Sequence, residues 1–215
     1  MVLSIVAGLA YNSWPLGYWL NPPVAHRGLA SELEGLHQPY NWVFVSCDVV
    51  SSLLIALVAL LIWRRVRGRA GPSRWLLQAA LWNVAGFSLF TILDALLPLR
   101  CDPSVRRCPS FTHDPLLLFH GIFSITASLL LFFSVVLIWW LDRRDWVLHA
   151  ILWGYVLFSV FSLISVLTPG QDSWAQHYYL TLCSLWLAVL PYCVWQALAS
   201  GPASADVSAP KHHVR

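Results

Sequence analysis

Residues Leu99–Gly121 read LRCDPSVRRCPSFTHDPLLLFHG and join two long apolar runs. The stretch holds two Cys, two Asp, two His and three Arg, whereas the sequence on either side is mostly hydrocarbon. A chain embedded in lipid needs none of these groups merely to span, so this is the expected seat of function. Cys101 and Cys108 enclose a short loop containing Pro103; in an oxidising compartment they would close an eight-residue ring. Such a bridge is worth roughly 2.5 kcal/mol in the chain-entropy model. Asp114 followed by Pro115 reads as a helix start, since the Asp side chain accepts from free N–H groups and Pro at the first helical position forfeits no needed donor.

The flanking sequence sets the class. Of 215 residues, 58% are hydrophobic and 11% charged, and the mean hydropathy is +0.65. A soluble domain would carry about a quarter charged residues. Apolar runs of about 20 residues, long enough to cross a bilayer, recur along the chain. The expected fold is all-α: a polytopic membrane protein of six transmembrane helices with both termini cytoplasmic. Residues 1–199 form one six-helix domain and residues 200–215 a disordered cytoplasmic tail. The net charge of +3 is spread over short connectors and not gathered on one face, which excludes a nucleic-acid partner and leaves the lipid bilayer as the first one.

The expected spans are Met1–Leu20, Trp42–Trp63, Trp75–Pro98, Pro115–Leu141, Trp146–Thr168 and His177–Ala199. The segment Asn21–Tyr40 is too polar for hydrocarbon, and Ser31 followed by Glu34 suggests a capping box on a short surface helix. The connector after Trp63, RRVRGRAGPSR, is the strongest orientation signal and belongs in the cytoplasm. This layout places nine basic residues inside (Arg64, Arg65, Arg67, Arg69, Arg74, Arg143, Arg144, Lys211, Arg215) and four outside (Arg27, Arg100, Arg106, Arg107). It also puts Cys101 and Cys108 on the oxidising side, where a disulfide persists.

Few ionisable side chains fall within the spans: Asp48, Asp94, His120 and His149, with His177 at a margin. At 1.5 Å per residue Asp48 lies about six residues below the outer end of its span, Asp94 about four and His120 about five. All three therefore stand near one level. His120, Ser124 and Ser128 share a helix face, as do Asp48 with Ser52 and Thr91 with Asp94. Glu32 and His113 join this set from the outer segments. Each residue also has a structural explanation, Asp94 pairing with Arg100 or Asp48 bonding a serine of another helix, and small polar residues help spans pack closely.

Three sharper chemistries were weighed against that reading. A metal-assisted hydrolase would hold zinc on His113, His120 and Asp48 or Asp94, although HExxH and close His pairs are absent. A two-haem cytochrome lacks an inner partner for His149, and a proton-coupled transporter lacks a carboxylate path through the inner half. The sequence contains no GxSxG, GxxxxGK[ST], CxxC or dinucleotide fingerprint.

Three segments together resemble a known family: GLASELEGLHQPYNWVFVSCD over Gly28–Asp48, LDALLPLRCDPSVRRCP after it, then FTHDPLLLFHG. They are similar to the bacterial multi-span membrane proteins called domain of unknown function 998. The matching positions are Ser31, Glu32 and Leu33, then Gln38, Pro39, Trp42 and Asp48, then Asp94, Pro98, Cys101, Cys108, His113 and His120. The resemblance implies six spans, an outer-side cluster and a bacterial plasma membrane, and it brings no activity. The expected role is a cell-envelope protein that binds a lipid headgroup or a membrane-protein partner through an outer-facing polar pocket. The alternative is an intramembrane metal-assisted hydrolase or transferase acting on a lipid of the outer leaflet.

Overall fold

The computed structural model describes residues 1–68, 73–101, 114–167 and 172–199. Among these residues the chain is helical, with no strand. The longer helices are α1 (Val2–Tyr11), α4 (Asn41–Val66), α5 (Ser73–Ala95), α6 (Pro115–Leu141), α7 (Trp146–Leu167) and α8 (Asp172–Ala199). Between α1 and α4 lie two short helices, α2 (Gly17–Leu20) and α3 (Pro22–Arg27), and 3₁₀ turns at Trp14–Leu16 and Ala30–Glu34. Each long helix packs on the next, α1 also packs on α4, and α8 returns to α1, which closes a ring.

The described helices α4, α5, α6 and α8 are long and apolar enough to cross a membrane. The chain is therefore a multi-pass membrane protein, but six full spans are not what the described residues show. The expected first span, Met1–Leu20, is broken: the bond from the Asn12 backbone N–H to the Gly8 carbonyl, 3.1 Å, closes the last turn of α1, and Pro15 cannot continue a helical ladder. Its ten residues reach about 15 Å, half of a hydrocarbon core. Helix α7, Trp146–Leu167, follows the expected fifth span, Trp146–Thr168, to within one residue. The tail from Ser200, expected to be disordered, lies outside the described residues.

Small residues let α1 sit deep in the ring. Ser4 Oγ donates to the Ala188 carbonyl of α8 at 3.1 Å, and Ser51 Oγ of α4 donates to the Ala7 carbonyl at 2.8 Å. A Cβ added at Gly8 would stand 2.5 Å from the Ser184 carbonyl oxygen, so only glycine permits this approach. In the centre, the Trp186 indole N–H donates to Ser134 Oγ at 2.9 Å, pairing the one polar atom of the largest fully buried side chain.

The segment between α1 and α4 is folded over one end of the ring. Val24, Ala25 and Leu33 form a small core with Phe44 of α4, with Trp14 and Leu20 against it. Two polar ties complete the attachment: Leu36 N–H donates to the Leu99 carbonyl at 2.8 Å, and Ala30 N–H donates to the Gln176 side chain at 2.6 Å. At α6 the expected cap is present, Asp114 Oδ1 accepting from Leu116 N–H at 3.0 Å with Pro115 in the first turn. The expected Ser31–Glu34 capping box is not. Glu32 Oε1 instead accepts from Leu29 N–H at 3.0 Å, so the cap sits two residues earlier than expected.

The Gly8 contact yields a direct test. Gly8→Val would force α1 away from α8 and cost about 1–3 kcal/mol. Thermal unfolding in detergent should show a clear drop in Tm, and an unchanged Tm would contradict the close approach.

Candidate functional site

A cavity of about 480 Å³ lies inside the ring at the end covered by the α1–α4 segment. Every long helix contributes to its wall: Tyr11 from α1, Asp48 from α4, Thr91 and Asp94 from α5, Ser124 and Ser128 from α6, Phe158 from α7, Tyr179 from α8. The cover adds Trp14, Ser31 and Glu34. Helical spacing explains the convergence, since Thr91 and Asp94 stand three apart and Ser124 and Ser128 four apart on faces turned to the same interior.

The acidic groups are held in two ways. Asp94 Oδ2 accepts from Ser124 Oγ at 3.0 Å. Its Oδ1 stands 3.0 Å from His120 Nδ1, which also meets the Leu97 carbonyl oxygen at 3.2 Å. With oxygens on both sides, Nδ1 is the ring nitrogen that carries hydrogen. Glu34 and Asp48 form the second group, their carboxyls hydrogen-bonded to each other. Two carboxyls can bond only if one keeps its proton. Burial, and then the facing Asp48 and Asp94 carboxyls, push Glu34 well above the ordinary carboxylate range, so the pair holds a proton.

Two wall groups have no partner among the described residues. The Trp14 indole N–H and the Thr91 hydroxyl are both buried and unpaired. Trp14 is fixed in place by stacking on His177, ring centroids 4.1 Å apart and planes within 5°.

The candidates read from the sequence separate clearly. Asp94 and His120 are in contact, and Asp48 lines the same cavity. Glu32 is spent as the cap of Leu29, and its place in the cavity is taken by Glu34. At about 120° per residue, positions two apart on a 3₁₀ turn face different ways. His113 and Cys108 lie outside the described residues, and with them the zinc set that needs His113 and the Cys101–Cys108 bridge. Cys47, Cys183 and Cys193 are free thiols, as expected of small core residues. Among the described residues no three His, Cys, Asp or Glu side chains gather as a metal site requires. Tyr11, Trp14, Gln176 and Tyr179 were not anticipated.

Residues 4–201 match the family described as Protein of unknown function (DUF998). The chain belongs to that family. No curated protein and no solved structure matches it. The matched region contains every residue that lines the cavity, so the carboxyl-lined interior lies wholly within the DUF998 unit.

The state of Glu34 makes the fold pH-sensitive. Its raised value means that stability from the protonated group is fully present below the unfolded carboxylate range, about pH 4, and is lost as pH rises through the folded value. Glu34→Gln should remove that loss. Melting curves from about pH 4 to 9 should show the variant matching the wild type in acid and exceeding it in alkali; parallel profiles would contradict the assignment.

Proposed function

We propose that this protein holds the headgroup of a membrane lipid in the carboxyl-lined cavity while the lipid tails stay in the bilayer. The carrying observation is the make-up of the rim. Ile125 and Leu129 line the cavity, yet they are 63% and 50% exposed on the outside of α6. A polar interior thus runs into the apolar face that a span turns to lipid. A ligand arriving from water would have no use for such a rim, whereas a lipid needs both a polar chamber and a hydrocarbon border.

Charge supplies the orientation. Arg64, Arg65 and Arg67 close α4, and Arg143 and Arg144 join α6 to α7, all at the end of the ring away from the cavity. Arg143 lies over the Trp139 and Trp140 rings and Arg67 over Trp63, the arrangement of interfacial anchors. With that end cytoplasmic, the chamber faces the outer leaflet of a plasma membrane.

Blocking the rim tests it. Ile125→Trp should exclude co-purifying lipid at least severalfold, measured by native mass spectrometry of protein released from bilayer discs, with little change in Tm. Equal lipid retention by both proteins would contradict entry at this rim.

A further inference from the structure

Among the described residues, those lining the cavity include three carboxylic acids, Glu34, Asp48 and Asp94, and no Lys or Arg. Asp94 has His120 and Ser124 beside it, but Glu34 and Asp48 have only each other and a proton. A phosphate pushed into this space would meet acid with no cation to answer it. A neutral sugar would leave the acid uncompensated. A cation would displace the shared proton and supply the missing charge.

The unpaired wall atoms refine the kind of cation. Thr91 is 4% exposed, and its hydroxyl finds no partner among the described residues. That oxygen and the carboxylates of Asp48 and Asp94 accept hydrogen bonds, which the N–H groups of an organic cation supply. A quaternary ammonium has none, whereas a primary ammonium has three. Tyr11, Trp14, Phe44 and Phe158 add aromatic walls, which favour a desolvated cation.

We propose that the group entering this cavity is a primary ammonium, carried by an aminophospholipid headgroup whose phosphate stays at the rim. The proposal rests on the headgroup reading above. The ammonium N–H groups bond to Asp48, to the Asp94 carboxylate and to the Thr91 hydroxyl, and the proton held by Glu34 and Asp48 is released to water on binding.

The test is competition among phosphatidylethanolamine, phosphatidylcholine and phosphatidylglycerol for the full chain in bilayer discs, read by native mass spectrometry, with free ethanolamine as a further arm. Expected is about a tenfold preference for phosphatidylethanolamine over both other lipids, the size of one or two charged hydrogen bonds. That preference should vanish in Glu34→Gln and Asp48→Asn and weaken in Thr91→Val. The wild-type preference stands as evidence even if a variant fails to fold. Equal retention of the three lipids, or a preference for phosphatidylglycerol, overturns the ammonium while leaving the headgroup reading intact. Phosphatidylcholine matching phosphatidylethanolamine overturns the requirement for N–H donors. Free ethanolamine displacing lipid at equal concentration supports the ammonium and overturns the lipid as its source. Retention of no lipid overturns both readings.

Discussion

Carboxyl groups buried inside a ring of apolar helices must each have a partner or keep a proton, and that constraint organises this molecule. Placing an ionised carboxylate at the centre of a lone span costs about 2.5–3.5 kcal/mol on insertion scales. The ring meets the requirement locally. Ser124 and His120 lie one turn apart on α6 and both reach Asp94, while Glu34 is brought to Asp48 by a segment that never enters the bilayer as a span. The two groups need different supports, and the rest of the structure can be understood as those supports.

The cover is the less obvious of them. Glu34 is positioned because Leu33 and Phe44 share a small apolar core, because Gln176 holds the Ala30 backbone, and because Leu36 is tied to Leu99. The Leu99–Gly121 stretch thus contributes Leu99 to anchoring the cover and His120 to holding Asp94. The shortness of α1 belongs to the same design. By stopping at Tyr11 it leaves room beneath the cover that a full span would fill with side chains, and Trp14 turns back over that room, held by its stack on His177.

Much of this was legible in the sequence, for reasons that can be named. Ionisable residues are so rare in the spans that Asp48, Asp94 and His120 stood out, and a fixed rise per residue put them at one height before any packing was known. Asp114–Pro115 announced its helix because the cap is a local matter. What escaped notice depends on tertiary contact. In a lipid-embedded bundle both the inner and the outer face of a helix are apolar, so periodicity does not tell Tyr11, Phe158 or Tyr179 from residues facing lipid. The choice between Glu32 and Glu34 turned on which end of a five-residue 3₁₀ turn would cap it. Met1–Leu20 looked like one span because hydropathy averages over the break between Asn12 and Pro15, where the helical ladder stops.

The central claim is that Glu34, Asp48 and Asp94 face one chamber that reaches the lipid-facing surface beside α6. A crystal structure determined in a lipidic phase tests it most directly. The account predicts Glu34 and Asp48 in hydrogen-bond contact, with density for a bound molecule running from Asp94 past Ile125 to the outside of the bundle. Helices closed over that path, with Glu34 turned to solvent and Asp48 bonded to a neighbouring span, would contradict it.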